Sequence, residues 1–212
     1  MKYKYVFLLG RGGCGKSSLY RELEKRILAS GQARTVERVD DFPRLWALFK
    51  SDDALEKEGK ARIHSVPAGD GDYALTNVAS LNDILREVSA DVRTIDRPDH
   101  VIFIEFARPS YVEAIQLFDQ SILSNCLVVF MDVSFETCWA RNLARCEASI
   151  AAGGDDHRVP REVMEKLFLH DDHHALIRYL KDHGIPFAVV NNEADGKEHL
   201  KEQVEELFGE LF

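Results

Sequence analysis

Gly10-Arg-Gly-Gly-Cys-Gly-Lys16-Ser17 lies near the beginning of the chain and fits the pattern G-x-x-x-x-G-K-[ST]. The apolar segment Tyr5–Leu9 precedes it and predicts a strand. The segment Lys16–Ser30 follows with leucines and isoleucine at helical spacing, and predicts a helix that stops at Gly31. Main-chain N–H groups can surround a phosphate only where side chains are absent and φ is free to become positive. The stretch therefore predicts a phosphate-binding loop between a strand and a helix.

The parts of this loop have distinct predicted contacts with a nucleotide. The start of the helix points its positive dipole end and free N–H groups at the phosphates. We expect Lys16 to reach the β- and γ-phosphates and the hydroxyl of Ser17 to bind Mg²⁺. The side chains of Arg11 and Cys14 are not needed for either contact. ATP and Mg²⁺ are the predicted cofactors, and the predicted cofactor-binding residues of the loop are Gly10, Gly12, Gly13, Cys14, Gly15, Lys16, Ser17 and Ser18.

The composition restricts the class of protein. The 212 residues are 45% hydrophobic and 30% charged, which predicts one globular domain over residues 1–212. The formal net charge of −9 disfavours nucleic acid as a partner, because counterion release requires a basic surface. Four cysteines without C-x-x-C spacing favour a reduced, cytoplasmic setting, and no apolar run is long enough to cross a membrane. A homodimer is compatible with the sequence.

Short apolar runs alternate with helical segments, which predicts a parallel sheet with helices on both faces, a three-layer α/β/α fold. The predicted strands are Tyr5–Leu9, Thr35–Val39, Val101–Phe106, Leu127–Val133 and Pro186–Val190. The predicted helices are Lys16–Ser30, Pro43–Glu58, Leu81–Ser89, Tyr111–Leu123, Phe135–Ala151, Arg161–Leu169, Asp172–His183 and Lys197–Leu211. A small hairpin is expected from Arg62–Val66 and Asp72–Leu75, with turn residues between them.

The finer spacing G-x-x-G-x-G-K-S resembles the P-loop nucleoside, nucleotide and small-metabolite kinases. The stretch Val159-Pro-Arg-Glu-Val-Met-Glu-Lys-Leu-Phe168 is similar to kinases related to seryl-tRNA kinase and the kinase domain of polynucleotide kinase. The resemblance implies the strand order 2-3-1-4-5, a lid over residues 141–160 and an acceptor-pocket insertion over residues 51–99. It further implies transfer of the γ-phosphoryl group of ATP to a hydroxyl or phosphate of a small molecule, for example a nucleoside or nucleotide.

Such a kinase needs an acid at a strand end beside the loop, to hold a Mg²⁺-bound water or to accept the proton of the attacking hydroxyl. Asp41 or Asp40, directly after the second strand, is the candidate base, although one of them could instead cap the helix that opens at Pro43. Glu105 ends the run Val-Ile-Phe-Ile-Glu and resembles the acid that faces Mg²⁺. Asp132 ends a run of the same form, and the family's strand order favours Glu105.

Several basic residues are candidates for contacts with anionic groups. Arg108 and Arg44 could bind a polar or anionic acceptor, and for Arg108 a surface ion pair is the alternative. The resemblance to a kinase lid implies that Arg141, Arg145 and Arg158 act at the γ-phosphate, with solvated helix charges as the alternative.

The remaining candidates surround the nucleotide base and the insertion. Asn191 and Asn192 follow the last strand, where related kinases place a turn against adenine. His64, a candidate acceptor contact, lies in the unmatched region 50–99 with Asp70, Asp72 and Tyr73. The group His170, Asp171, Asp172, His173 and His174 is interpreted as a solvated helix surface, not as a metal site.

Two other functions are weighed against a small-molecule kinase. A GTPase-like switch should carry D-x-x-G where this chain has Glu105-Phe-Ala-Arg108, and N-K-x-D where it has Asn192-Glu-Ala-Asp195. A kinase that acts on RNA ends would share the fold, but the acidic balance weighs against it.

Overall fold

The computed structural model describes residues 2–68, 73–151, 159–194, 196 and 198–212. Its strands are β1 (Tyr5–Leu9), β2 (Thr35–Asp40), β3 (Ser65–Pro67), β4 (Tyr73–Leu75), β5 (His100–Phe106), β6 (Cys126–Asp132) and β7 (Phe187–Asn191). Its helices are α1 (Lys16–Ser30), α2 (Phe42–Lys57), α3 (Ala79–Ile95), α4 (Tyr111–Ile115), α5 (Gln120–Leu123), α6 (Phe135–Ala151), α7 (Arg161–Phe168), α8 (His173–Asp182) and α9 (Glu198–Leu211).

Five strands form one parallel sheet in the order β2-β5-β1-β6-β7. Numbered among themselves along the chain, these strands have the expected order 2-3-1-4-5. β1 is completely buried in the centre of the sheet, as its five apolar residues require. The loop that follows β1 therefore opens at the middle of the sheet's carboxyl edge, where ligands bind in open α/β sheets.

Helices cover both faces of the sheet, which confirms the three-layer architecture. One core cluster packs α1, α6, α7 and α9 against the sheet, through residues such as Leu19, Trp139 and Leu207. The other packs α3, α4 and α8 through residues such as Leu85 and Tyr111. Burying each such side chain contributes roughly 1.5–3 kcal/mol. The layers hold the strand ends rigidly in place.

The expected hairpin is present, because β3 and β4 pair in antiparallel register. Its base is fixed by Asp52 of α2, whose fully buried carboxylate accepts hydrogen bonds from the N–H groups of Ile63, His64 and Ser65 and from the Ser65 hydroxyl. These bonds hold the pKa of Asp52 below its ordinary value, although burial alone would raise it. The insertion is thus attached to α2.

Two helix predictions required correction. The single helix expected over Tyr111–Leu123 is divided into α4 and α5, because Asp119 accepts a hydrogen bond from the Ser121 N–H and begins a new helix. α3 spans Ala79–Ile95 and not Leu81–Ser89. It begins earlier because the side chain of Asn77 accepts a hydrogen bond from the Ala79 N–H, and it ends six residues later than predicted. Within the described ranges, no helix is long and apolar enough to cross a membrane.

Candidate active site at the carboxyl edge of the sheet

The phosphate loop has a backbone that only glycine can adopt at two central positions. Gly13 has φ of +86° and Gly15 has φ of +106°. A Cβ atom added to Gly13 would lie 2.4 Å from the carbonyl oxygen of Cys138, and one added to Gly15 would lie 2.4 Å from Nδ2 of Asn192. Both contacts are far inside van der Waals distance, so the loop depends on bare backbone here.

Gly10 and Gly12 differ in their φ angles and in the space available for a side chain. Gly10 has φ of +140°, and an added Cβ would lie 2.8 Å from the sulfur of Cys14. At Gly12 an added Cβ would meet no atom within 4 Å, and its φ lies outside the left-handed range. Gly12 therefore does not use a positive φ, and its missing side chain leaves open space at the loop instead.

Lys16 is the buried cation of the loop. Its Nζ atom donates hydrogen bonds to the carbonyl oxygens of Gly10, at 2.8 Å, and Arg11, at 2.9 Å. Burial acts to lower the pKa of Lys16, but nearby acidic groups, Glu105 and Asp41 among them, outweigh burial and raise it. The ammonium group thus stays charged at the point where the strand ends of β1, β2 and β5 meet.

Glu105, rather than Asp132, lies beside the phosphate loop. In the sheet register Glu105 is opposite Leu8 of β1 on one side and Asp40 of β2 on the other. Asp132 ends β6, the other neighbour of β1, but it is exposed and does not line the cleft, whereas Glu105 is buried and does. Burial raises the pKa of Glu105, while Lys16 and Arg38 act in the opposite direction. The strand order thus brings Glu105 to the position expected of a Mg²⁺-facing acid.

Arg38 joins the two candidate Mg²⁺ ligands and was not expected from the sequence. Its NH1 atom lies 3.1 Å from the hydroxyl of Ser17 and 3.1 Å from Oε2 of Glu105. The guanidinium also lies over the ring of Tyr20, 5.2 Å from its centroid. The two oxygens that are predicted to bind Mg²⁺, one from α1 and one from β5, therefore both contact the guanidinium group of Arg38.

Asp40 and Asp41 have different environments. The carboxylate of Asp40 accepts a hydrogen bond of 2.9 Å from the N–H of Phe42, so Asp40 caps α2. Asp41 has the N-cap position but makes no cap bond, and its buried carboxylate accepts a hydrogen bond from NH1 of Arg108. Burial raises the pKa of Asp41, and Arg108 acts against this rise. The capping alternative therefore applies to Asp40 and leaves Asp41 in the cleft.

Arg108 is buried and is not part of a surface ion pair. Besides Asp41, it donates to the carbonyl oxygens of Ala107 and Leu81, and its side chain is 5% exposed. Its Nε atom is buried without a hydrogen-bond partner among the described residues. The Asp41–Arg108 pair thus connects β2, β5 and α3 at the edge of the cleft.

The proposed lid arginines are only partly described. Arg141 donates to the carbonyl oxygens of Asn192 and Ala194, at 2.8 and 3.1 Å, and Arg145 donates to the amide oxygen of Asn142. Both arginines line the cleft from α6. Arg158 lies outside the described residues, as does the loop over 152–158, so the described part of the expected lid is α6 together with Val159 and Pro160.

Of the two asparagines at the end of β7, Asn192 contacts the phosphate loop and Asn191 does not. The buried Asn192 donates from Nδ2 to the carbonyl oxygen of Cys14 at 2.9 Å and lines the cleft. Asn191 accepts from the Glu193 N–H and does not line the cleft. Glu193 accepts hydrogen bonds from Ser134 and Thr137, which lowers its pKa to about 2 and caps α6. The base-contact expectation is thus retained for Asn192 alone.

Arg11 has a structural role that was not expected. Its buried guanidinium donates to the carbonyl oxygens of Phe168 and Val133, each at 2.8 Å, and pairs with Asp171 at 2.9 Å. Asp172 accepts from the N–H groups of Tyr111 and Val112. The interpretation of the His/Asp group as a solvated helix surface was therefore wrong for its two acids, which precede α8 and connect distant segments. No cluster of potential metal ligands occurs among the described residues.

Arg44 and His64 lie away from the cleft, which corrects their assignment as acceptor contacts. Arg44 pairs with Asp91 and Glu87 of α3, because it faces that helix from α2. His64 is held at the base of the hairpin, where its N–H donates to Asp52. Neither is among the residues that line the cleft. Asp70 and Asp72 lie outside the described residues.

One continuous cleft of about 900 Å³ unites these groups. The end where a nucleotide is predicted to bind comprises the phosphate loop, α6 and Asn192, and is called the nucleotide end. The end where an acceptor is expected comprises α2, β4, the start of α3 and the segment 105–109, and is called the acceptor end. Asn142 also lines it, although an asparagine on an amphipathic helix has no sequence signal of its own. Arg38 could have been suspected from its alternation with Asp40 on one face of β2.

No protein-family model matches the sequence, and no curated protein matches it by sequence. Solved structures are similar in fold. Chaetomium thermophilum Kti12 in complex with ADP-AlF3 has a TM-score of 0.58 and 15% identity, covering 98% of this chain and 99% of that chain. APE1195 has a TM-score of 0.59 and 14% identity, covering 100% and 96%.

Mycobacterium tuberculosis APS kinase CysC in complex with AMPPNP and APS has a TM-score of 0.53 and 16% identity, covering 98% of this chain and 96% of that chain. At these identities the likeness establishes the fold. The chain has the fold of the P-loop kinases, with the phosphate loop at the expected place in that fold.

Proposed function

We propose that this chain, with its P-loop kinase fold, is an ATP- and Mg²⁺-dependent kinase that transfers the γ-phosphoryl group to a hydroxyl of a small molecule. The observation that supports this most strongly is the meeting of three functions at one edge of the sheet. The glycine loop with Lys16, the acid Glu105 and the buried pair Asp41–Arg108 all line the same cleft. Phosphoryl transfer requires this set: an anion cradle, a metal-facing acid and a group that accepts a proton.

The residues present fit a triphosphate. The loop leaves open space at Gly12, its neighbours Gly13 and Gly15 have no room for a side chain, and α1 begins at Lys16. Main-chain N–H groups at such a helix start attract anions. Two proteins of the same fold, Kti12 and APS kinase, are known in complexes with ADP-AlF3 and AMPPNP, which supports a nucleotide as the ligand here.

Ser17 and Glu105 also provide oxygen atoms of the kind that bind Mg²⁺. Ser17 Oγ and Glu105 Oε2 each lie 3.1 Å from one nitrogen of Arg38, so these two oxygens already face a common positive centre. Hydroxyl and carboxylate oxygens are the ligands that Mg²⁺ prefers, and the metal takes its other ligands from phosphate oxygens and water. Bound there, Mg²⁺ would neutralise charge on the β- and γ-phosphates.

The chain's own residues have separate roles in this proposal. The loop N–H groups and Lys16 hold the phosphates, and Arg141 and Arg145 add positive charge from α6. Asp41 orients the acceptor hydroxyl and takes up its proton. Its burial raises its pKa, and a carboxylate with a raised pKa is a stronger base than an exposed one. Arg108 holds that carboxylate in position.

The test is ADP formation from ATP and Mg²⁺ across nucleosides, nucleotides, sugars and hydroxy acids. Acceptor-dependent ADP is expected with the native chain and not with Lys16→Ala. Lys25→Ala is the matched control, since Lys25 is an exposed lysine of the same helix. If ADP release does not depend on any acceptor while Lys16→Ala still abolishes nucleotide binding, the chain binds nucleotide without being a kinase, and the switch alternative is favoured.

A further inference from the structure

The acceptor end of the cleft has apolar walls. The described side chains that line it from α2, β4 and α3 are mainly Phe42, Leu45, Phe49, Tyr73, Leu75 and Leu81. Phe106 and Pro109 extend the apolar surface toward β5 and α4. Walls of this kind bind apolar surface and exclude groups that must stay hydrated.

The aromatic part of this wall is held rigidly. The rings of Phe49 and Tyr73 have centroids 5.0 Å apart, and Trp46 packs on both, at 6.1 and 5.6 Å. The hydroxyl of Tyr73 donates to Asp53 at 2.5 Å, and the ammonium of Lys50 lies over the Trp46 ring at 4.6 Å. Flat rings fixed in this way suit a flat ligand, because aromatic pairs stack or meet edge to face.

The charge at this end is unsuited to an anion. Of the described cations that line the cleft, only Arg108 comes from the elements of the acceptor end, and it is paired with Asp41. Asp40 and Glu105 line the same region and share the positive charge of Arg38. An acceptor with its own phosphate or carboxylate would therefore find no unpaired cation among the described residues that line this end.

One buried donor in this region is unused. Arg108 is 4% exposed, and its Nε atom has no hydrogen-bond partner among the described residues. A buried donor without a partner destabilises the protein, and a ligand oxygen that accepts from it removes that cost. Nε is therefore available to a neutral oxygen of a ligand while NH1 remains bonded to Asp41.

We propose that the phosphoryl acceptor is an uncharged molecule with a flat aromatic or heteroaromatic body and a free hydroxyl group. Its body lies against Phe42, Phe49 and Tyr73, its reacting hydroxyl donates to Asp41, and a second oxygen accepts from Arg108 Nε. This inference deepens the proposed kinase function and rests on it. Neutral nucleosides and aryl alcohols belong to this class, whereas phosphorylated acceptors do not.

The reaction balances without a further reagent. The acceptor oxygen forms a bond to the γ-phosphorus as the bond from that phosphorus to the bridging oxygen of ADP breaks. The hydroxyl proton passes to the carboxylate of Asp41 and is later released to water. The products are ADP and a phosphate monoester.

The experiment compares matched acceptors in two measurements. Uridine, cytidine and 2-phenylethanol are compared with UMP, CMP and glucose, first by ADP formation and then by calorimetric binding to the protein loaded with Mg²⁺ and AMPPNP. We expect kcat/KM to be at least about ten-fold higher for the neutral flat acceptors. Faster ADP formation with UMP, CMP or glucose overturns the inference and leaves the kinase proposal intact.

The binding measurement separates the two proposals. If no acceptor yields ADP but the neutral flat compounds bind while UMP and glucose do not, the kinase proposal fails and the assigned ligand class stands. If none of the flat compounds binds or reacts, the inference is overturned.

Two variants locate the site. Phe42→Ala removes a ring from the wall, and Arg108→Lys keeps a positive charge for Asp41 but removes the Nε donor. Each should raise the acceptor KM about ten-fold and leave the KM for ATP unchanged. Ile63→Ala is the control, since Ile63 is an exposed apolar residue of the same insertion outside the cleft lining. An unchanged acceptor KM in both variants, with melting temperatures near that of the native chain, also overturns the inference.

Discussion

The two ends of the cleft are built in different ways. At the nucleotide end, the phosphate loop contributes six residues to the lining, Gly12, Gly13 and Gly15–Ser18, and the contacts predicted for them are made by main chain, one lysine and one hydroxyl. The acceptor end comes from side chains spread between Asp40 and Pro109, on two helices, a hairpin strand and two strand ends. Both ends lie at the same edge of one sheet.

This difference explains why one end can be read from the sequence and the other cannot. A main chain that must surround a phosphate imposes glycine at fixed spacing, and such spacing is rare by chance. Apolar side chains that surround an acceptor have no required spacing, since any element that reaches the cleft can supply them. We therefore expect the nucleotide end to be most sensitive to changes at its backbone and the acceptor end to changes of its side chains.

The largest effect is expected from Gly13→Ala, which should abolish ATP binding and lower the melting temperature. The added Cβ would lie 2.4 Å from the Cys138 carbonyl oxygen, at a residue whose φ is +86°. Strain of this kind costs about 1–3 kcal/mol and displaces the loop. Calorimetric titration with ATP and Mg²⁺ and thermal unfolding measure the two effects.

Gly12→Ala is the matched variant, because its Cβ would meet no atom within 4 Å. It should unfold at the native temperature. If Gly13→Ala instead bound ATP normally, the dependence of this end on bare backbone would be refuted.

A smaller but still large effect is expected from Asp41→Asn, which should lower kcat by roughly 10²–10⁴ with little change in ATP affinity. The base works only when deprotonated, so activity is lost as the pH falls through its pKa. Burial raises the pKa of Asp41, opposed by Arg108 and Lys16 and assisted by Asp40, so this loss begins at a higher pH than for an exposed aspartate. A profile of kcat against pH, in the native chain and the variant, measures it.

The variant should also lose the acidic limb of that profile, because asparagine does not titrate. Glu105, whose pKa is raised as well, would keep the limb if it were the group responsible. A fully active Asp41→Asn protein would remove Asp41 from the base role.

The smallest effect is expected from Arg38→Ala, at the boundary between the two ends. Arg38 contacts both predicted Mg²⁺ ligands, so removing its charge should tighten Mg²⁺ binding about five-fold in the presence of ADP, the equivalent of ~1 kcal/mol. Calorimetric titration with Mg²⁺ measures this. Arg34→Ala, at the exposed beginning of the same strand region, should bind Mg²⁺ like the native chain. Weaker Mg²⁺ binding in Arg38→Ala would mean that Arg38 organises these ligands instead of competing for them.

The sequence predicted the sheet well because doubly buried parallel strands leave short apolar runs. β1 and α1 have the predicted bounds, and the strand order follows the order implied by the phosphate loop's resemblance. The division between α4 and α5 could not be predicted, because Asp119 interrupts a segment whose apolar spacing remains helical. The capping hydrogen bond of Asp119 therefore determines where α5 begins, although the apolar spacing alone would predict one continuous helix.

In the candidate site, too, local spacing predicts some residues and not others. Glu105 and Asp41 could be identified because strand ends meet at a fixed edge of the sheet. Arg44 was assigned to the acceptor because a guanidinium group suits anions, yet its partners Glu87 and Asp91 are more than forty residues away and cannot be inferred from the local sequence. The roles assigned to the site residues remain predictions, and Arg158 lies outside the described residues.

Arg11 gives the loop a dependence on distant parts of the chain. Its side chain joins the second residue of the motif to the end of β6, to the end of α7 and to the turn before α8. A fragment that ended before residue 160 would keep every letter of the motif but lose two of these three attachments. Any displacement of α7 would, through Arg11, also move the loop residues that are predicted to bind the phosphates.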